Sequence, residues 1–227
     1  MFLILLSCCG LIYCQGLFSP YSDTLEANSA DIKTADSLFN LANSKLNFLE
    51  YNDCNNCTLR AHVLTFLFSK LYPDLKIAKA WIFADSKLES RKDYYKTHIK
   101  GYLSYKNMCP LWGFHVAPAI IFETDTLVID PSTQNSPAKL SDWVKNLSSA
   151  ASAYIILKEN KYYSYPEKGD DDLFNDNTAD WEENKFGSTE DEINFMARKL
   201  TTAYHSFFDP IRFNYYKKRL YTLANLH

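Results

Sequence analysis

Three side chains of the types used in nucleophilic catalysis occur in the order Cys57, His115 and Asp130. A thiolate attacks carbonyl carbons when an imidazole takes and returns its proton and a third group orients that imidazole. Asn56 is a favourable N-cap, so we predict that a helix begins at Cys57. The free N–H groups and the positive dipole end of a first helical turn stabilise a thiolate. Each residue also has a structural interpretation, as a small core residue, a structural histidine or the opening of a turn, and the pattern alone does not decide between the two.

The distance between His115 and Asp130 depends on two apolar runs, residues 112–122 and 127–130, which predict a β-hairpin. A connection with an even number of residues places both side chains on the same face of the sheet. A four-residue turn would set Asp130 opposite Ala119, roughly 13 Å along the strand from His115 at about 3.3 Å per residue. A direct contact therefore requires a sharper turn or a bulge.

Hydrophobic periodicity predicts the other elements of the first 166 residues. The predicted helices cover residues 34–49, 57–71 and 140–147, and the predicted strands cover residues 77–84, 153–157 and 162–165. In the helix that begins at Cys57, the apolar spacing predicts a single buried stripe.

The first residues are typical of a targeting segment. Residues 2–13 form an uncharged run that is too short to span a bilayer and suits the core of a signal peptide, although no positively charged region precedes it. We predict a signal peptide over residues 1–16, a secreted or periplasmic protein, and no stable membrane span after the signal is removed. A lipoprotein-like box that ends at Cys8 leaves a lipid anchor at the cell surface open, and a buried N-terminal strand is the structural alternative.

After removal of the signal, three cysteines remain: Cys54, Cys57 and Cys109. Three is an odd number, so at most one disulfide forms within the chain and one thiol is left over. Cys54 and Cys57 make a Cys-x-x-Cys pair, but neither a βαβ context nor a second pair of ligands supports a redox or zinc site. We expect no bound metal.

Composition excludes several classes of protein. The 227 residues carry a formal charge of −3, with 47% hydrophobic and 22% charged residues, which is unlike a disordered chain and gives no electrostatic footprint for nucleic acid. Residues 167–192, with eleven acidic and two basic side chains, are predicted to form an acidic linker. Residues 193–227 are predicted to form a C-terminal helical extension interrupted at Pro210, with a capping box at Thr189 and Glu192.

Three strings carry a resemblance to a known family: Cys57-Thr58-Leu59-Arg60-Ala61-His62, Trp112-Gly113-Phe114-His115-Val116-Ala117 and Ile129-Asp130-Pro131-Ser132. In this order they resemble bacterial secreted protein-glutaminase, a protein-glutamine deamidase with a transglutaminase-like core. The likeness spans roughly residues 34–166 and implies that a catalytic domain occupies residues 17–166. The implied fold is α+β, a transglutaminase/papain-like core in which the helix that bears the nucleophile packs on an antiparallel sheet, with the helical extension added.

The resemblance implies a role for each candidate residue. Cys57 is the nucleophile, His115 its base and Asp130 the group that orients His115, without any cofactor. The remaining implied residues are Trp112 and Phe114 as walls of the substrate slot, Arg60 and His62 as neighbours of the site, and Cys54 and Cys109 as a disulfide. The expected partners are proteins or peptides with an accessible glutamine, and the expected state is a monomer. Amine transfer or peptide cleavage on the same fold, and a non-catalytic secreted or surface binding protein, are the alternatives.

Overall fold

The computed structural model describes residues 25, 27, 28, 32–49, 56–88, 112–122, 125–147, 153–159, 161, 163, 185–204 and 208–224. Within them the α-helices are α1 (Ile32–Lys45), α2 (Cys57–Leu71), α3 (Leu140–Leu147), α4 (Thr189–Tyr204) and α5 (Pro210–Ala224), with one 3-10 turn at Asn47–Leu49. The strands are β1 (Ile77–Leu88), β2 (Trp112–Ile121), β3 (Thr126–Val128), β4 (Ala138–Lys139) and β5 (Ala153–Glu159). They form one antiparallel sheet in the order β4-β3-β2-β1-β5. The α+β fold with a helical C-terminal part is therefore confirmed.

Some predictions fall outside the part of the chain that the structure describes. These predictions concern the signal peptide at residues 1–16, the implied disulfide between Cys54 and Cys109, and most of the acidic linker. Among the helices that are described, none combines the length and the apolarity needed to cross a membrane.

Helix α2 lies at the centre of the molecule. The sequence predicts one buried stripe on this helix, and that prediction is wrong, because residues 59–68 are all buried, with polar Arg60, His62 and Thr65 among them. Apolar residues of α2 share one core with residues of α1, α4, α5 and the sheet. A helix covered on every side shows no polar face, so its periodicity alone does not reveal which direction faces the sheet.

Strand β1 separates two layers of packing. Residues at alternate positions point to opposite faces of a sheet. On one face, Trp81 and Phe83 pack with Cys57 of α2. On the other, Ala80 and Ile82 pack with α3. The sheet thus has α2 on one side and the short helix α3 on the other.

The β2–β3 hairpin has a tighter turn than the four residues predicted. Its register pairs Ala119 with Val128, and the backbone N–H of Phe122 donates to the carbonyl of Asp125 at 2.8 Å, which leaves a two-residue tip. Shortening the turn by two residues keeps the parity of the side chains but moves Asp130 from opposite Ala119 to the level of residue 117. This is the sharper turn that a contact with His115 requires, since residues diagonal across two strands lie within reach of each other.

The C-terminal helices α4 and α5 pack against the rest of the core. Their buried apolar residues, Ile193, Met196, Leu200, Leu220 and Leu223, belong to the same cluster as those of α1 and α2. The capping box lies one residue earlier than predicted: Ser188 Oγ accepts from the N–H of Asp191 at 3.1 Å and donates to its carboxylate at 2.8 Å. Glu192 is therefore not part of the cap, and its side chain faces the interior of the protein.

Replacement of Leu200 by Ala tests whether the C-terminal helices are part of the common core. Leu200 is fully buried, so we expect the Leu200→Ala variant to lose about 2–5 kcal/mol of unfolding free energy in a single cooperative urea transition. Arg198→Ala, two residues earlier on an exposed position, is the control and is expected to change little. A separate early transition in the Leu200 variant would instead mean that α4 and α5 unfold independently.

Candidate active site

The Asp130 carboxylate is the most heavily hydrogen-bonded group of the site. His115 Nε2 donates to its Oδ2 at 2.9 Å, and both side chains are buried. The further donors are Trp143 Nε1 at 2.9 Å, the backbone N–H of Ser132 at 3.2 Å and the hydroxyls of Ser132 and Thr133. A buried carboxylate with this many donors keeps its charge and a fixed orientation.

The local sequence explains this arrangement. Asp130 follows the end of β3 and opens a turn, in which its carbonyl accepts from the N–H groups of Thr133 at 3.1 Å and Gln134 at 2.9 Å. The structural interpretation of Asp130 is thus also correct, because the same residue forms a turn and directs its carboxylate at His115. Helix α3 adds the Trp143 indole N–H from the far side.

The electrostatics of His115 and Asp130 favour an ion pair. Burial lowers the pKa of His115, but the charge and hydrogen bond of Asp130, with a smaller contribution from Cys57, raise it to about 9. Burial raises the pKa of Asp130, and the charge and hydrogen bond of His115, together with the Ser132 and Thr133 hydroxyls, hold it well below its usual range. Near neutral pH the pair is therefore imidazolium and carboxylate.

Cys57 is the first residue of α2, as predicted, but Asn56 does not cap the helix in the predicted way. Asn56 adopts a left-handed conformation (φ 66°) and its side chain makes no capping hydrogen bond. Asn is among the few residues that tolerate this conformation. The helix thus begins sharply at Cys57, whose side chain is only 7% exposed.

The Cys57 thiol lies beside His115, because each side chain acts on the pKa of the other. Nε2 of His115 is engaged with Asp130. Strand β3 pairs with β2 only at Ala119–Ile121, so β3 does not cover the edge of β2 beside His115. There the backbone N–H of Val116 also donates to the Cys57 sulfur.

The balance of these contacts favours the thiolate. Burial raises the pKa of Cys57, but the hydrogen bond and charge of His115, then the charge of Arg60 and the N–H of Val116, together bring it below its ordinary value. A thiolate beside an imidazolium is the form that attacks carbonyl carbons.

The four residues implied as neighbours of the site have different positions. Arg60 is buried on α2 and acts on the thiol through its charge. Phe114 is half-buried and stacks on Trp81, with ring centroids 5.9 Å apart, in the cluster that includes Cys57. Trp112 begins β2, but its side chain is outside the described residues. His62 contacts Lys79 and Glu192, a separate group of residues.

Sequence reasoning gave no role to two residues of the site, Trp143, which donates to Asp130, and Tyr163. Tyr163 is hydrogen-bonded to Thr58, next to Cys57; burial raises the pKa of Tyr163 to about 12, so its phenol stays protonated. No pattern in the sequence links Trp143 to Asp130 or Tyr163 to Thr58, because each contact joins different elements of the fold.

A comparison of the sequence with models of known protein families identifies the family of this chain. A family model described as glutaminase, for glutamine deamidases, matches residues 27–147, just over half of the chain, and this range includes Cys57, His115 and Asp130. The chain belongs to the glutaminase family. No curated protein and no solved structure matches it. Membership in the glutaminase family supports an amidohydrolase that deamidates glutamine.

Among the described residues, no group of three or more His, Cys, Asp or Glu side chains is arranged to hold a metal ion. The buried acid and imidazole bind each other instead.

Substitution of Asp130 by Asn is expected to change how stability depends on pH. The lowered pKa of Asp130 stabilises the folded protein above about pH 3.9, the pKa of an unfolded Asp. The raised pKa of His115 stabilises it below about pH 6.5, and this contribution is lost as the pH rises to about 9. We therefore expect the difference between wild type and Asp130→Asn in urea unfolding to peak between about pH 4 and 6.5, near 3–5 kcal/mol. A difference that does not vary with pH would contradict the ion pair.

Substitution of His115 by Ala is expected to raise the pKa of Cys57, because burial is then the dominant effect. In the wild type, alkylation of Cys57 should proceed with a midpoint below the usual thiol pKa of about 8.5. In His115→Ala, the rate at pH 7 should fall at least about tenfold, the effect of one pKa unit. Mass spectrometry of the Cys57 peptide, across pH, measures this without interference from the other cysteines. Identical profiles in the two proteins would contradict the contact.

Proposed function

We propose that this glutaminase deamidates glutamine side chains within proteins or peptides, with Cys57 as nucleophile, His115 as general acid and base, and Asp130 as the group that orients His115. The observation that supports this most is the buried pair of His115 and Asp130, hydrogen-bonded at 2.9 Å, together with the effect of His115 in lowering the pKa of Cys57. A thiol, an imidazole and a carboxylate in this order are the components of acyl transfer through a covalent intermediate.

In the first step the Cys57 thiolate attacks the carboxamide carbon of the glutamine side chain. The carbonyl π electrons move to oxygen, and a tetrahedral intermediate forms. His115, protonated at the outset, gives its proton to the amide nitrogen as the C–N bond breaks. Ammonia leaves, and Cys57 holds the glutamyl group as a thioester.

In the second step, water replaces ammonia. The imidazole of His115 is now neutral and takes a proton from the water as its oxygen attacks the thioester carbon. The C–S bond breaks, glutamate leaves, and the thiolate and imidazolium are restored. The new carboxyl group passes its proton to the released ammonia through water, so one glutamine and one water give one glutamate and one ammonium ion.

The negative oxygen of both intermediates needs hydrogen-bond donors. Helix α2 begins at Cys57, and the first N–H groups of a helix have no partner within it. We assign the backbone N–H of Cys57 to this role, where one donor is typically worth about 3–4 kcal/mol. Asp130 stays ionised throughout and stabilises the imidazolium that forms between the steps.

The acceptor in the second step separates this proposal from the alternatives. An amine in place of water gives a crosslink, and a backbone amide in place of the side-chain amide gives chain cleavage. Phe114 and Trp112 are proposed as walls of the slot that admits the glutamine side chain. Export through the predicted signal peptide, a monomeric state and the absence of a cofactor remain parts of the proposal.

The experiment is ammonia release from an unfolded protein such as casein. We expect Cys57→Ala to lose at least about 10³-fold in rate, because removal of the nucleophile abolishes the thioester route. Intact mass and peptide mass spectrometry of the casein should show about one dalton added per modified glutamine. Free glutamine, assayed in parallel, should release ammonia far more slowly if the substrate is a protein.

Other products would exclude the proposal in distinct ways. Crosslinked casein with added amine indicates acyl transfer, shortened chains indicate a protease, and faster turnover of free glutamine indicates a small-molecule glutaminase. Equal ammonia release by wild type and Cys57→Ala would remove Cys57 as nucleophile. No release by either, with ordinary thiol labelling of Cys57, would favour the binding protein.

A further inference from the structure

A second line of buried polar contacts crosses the molecule away from the Cys57, His115 and Asp130 side chains. Lys79 Nζ on β1 lies 3.1 Å from His62 Nδ1 on α2, and His62 Nε2 lies 3.4 Å from Glu192 Oε1 on α4. Lys79 is fully buried and His62 is 2% exposed, whereas the Glu192 side chain is 24% exposed. One sheet strand and two helices are thus joined through a single imidazole.

While Lys79 is protonated, chemistry fixes where the protons lie in these contacts. A lysine ammonium only donates, so His62 Nδ1 accepts and its Nε2 carries the proton that faces the Glu192 carboxylate. Burial, followed by the charge of Lys79, lowers the pKa of His62 to about 4, so the imidazole is neutral. Burial lowers the pKa of Lys79 to about 7, and the charge of the Glu192 carboxylate limits this decrease. Below about pH 7 the line therefore has an ammonium at one end and a carboxylate at the other, with a neutral histidine between them.

Aromatic rings surround the imidazole and extend the line toward the thiol. Tyr163, Phe186 and Phe195 lie with ring centroids 5.3, 5.9 and 6.1 Å from that of His62. Tyr163, in edge contact with His62, is also hydrogen-bonded to Thr58, the neighbour of Cys57. The first turn of α2 is thus held by the same group of residues as His62.

The same line fixes α2 against the strands that carry His115. His62 lies five residues after Cys57, roughly 7.5 Å along the helix axis. Lys79 is paired with Pro118 of β2, three residues from His115. A rotation or a shift of α2 that breaks the Lys79–His62 contact also moves the Cys57 sulfur relative to the imidazole.

We propose that Glu192, His62 and Lys79 are positioning residues, which hold α2 at the rotation that keeps the Cys57 sulfur within hydrogen-bond reach of His115. This rests on the proposed function in that Cys57 is taken as the nucleophile. It makes the C-terminal helix α4 part of the working enzyme, although α4 follows the residues matched by the family model.

Glu192→Gln tests this with little change in size, and Glu190→Gln is the matched control. Glu190 lies on the same helix, is exposed and pairs with Lys217 at the surface. In Glu192→Gln we expect the alkylation midpoint of Cys57 to move to higher pH, with a rate at pH 7 about tenfold lower, as for one pKa unit. For ammonia release from casein we expect kcat to fall by a similar factor with KM unchanged. Glu190→Gln should match the wild type in both.

A second variant keeps the test decisive if Glu192→Gln unfolds. Lys79→Met removes the ammonium from the other end of the line and should raise the Cys57 midpoint as well. Because both changes act through the same imidazole, the double variant should lose less than the product of the two single losses. A folded variant of either kind with the wild-type alkylation profile would overturn the proposal.

Thiol alkylation does not depend on turnover, so the two proposals fail separately. Wild-type protein that releases no ammonia, but whose Cys57 profile shifts in Glu192→Gln, contradicts the deamidation and keeps the positioning role. Normal ammonia release with no difference between Glu192→Gln and Glu190→Gln contradicts the positioning role alone.

Discussion

The ion pair between His115 and Asp130 is the interaction on which the rest of the site depends. Removing two charges from water costs several kcal/mol for each ion, and the attraction between them offsets this only when the other lone pairs are satisfied. Three neighbouring side chains and one backbone N–H supply those hydrogen bonds, from the turn after β3 and from Trp143 of α3. The turn and the small helix are thus parts of the site, and His115, held by this pair, makes the largest contribution to lowering the pKa of Cys57.

The register of the hairpin shows what the sequence predicts well and what it does not. Alternation of side chains is a local property, so the shared face of His115 and Asp130 follows from the sequence. The length of the turn does not follow from the sequence, because residues 123 and 124 are not the Asn-Gly or Asp-Gly pair that identifies a two-residue turn. The tip therefore forms under the constraint of the pairs behind it, such as Ala119 with Val128, where the buried side chains select one register.

Helices were predicted more completely than the contacts between them. The break before Pro210 follows from proline chemistry, whereas the start at Cys57 was predicted at the right residue from a side-chain cap that Asn56 does not form. The burial of α2 on all sides does not follow from the sequence, because it is produced by α1, α4 and α5 together. Lys79 lies in an apolar strand, and the residue that it contacts, His62, is 17 residues away and itself contacts Glu192 of α4. No local pattern identifies these partners.

The two buried polar lines meet at one pair of strands. His115 lies on the face of β2 toward α3, where its ring is 5.9 Å from that of Trp143, and Lys79 lies on the face of β1 toward α2. Pro118, the partner of Lys79, accepts the N–H of Ile129, the residue before Asp130, at 2.9 Å. The β1–β2 pair therefore sets the carboxylate from one side and the nucleophile helix from the other. Because His115 lies on β2 and Cys57 on α2, the distance between imidazole and sulfur depends on how α2 sits against this pair of strands, and the Lys79–His62 contact joins the two.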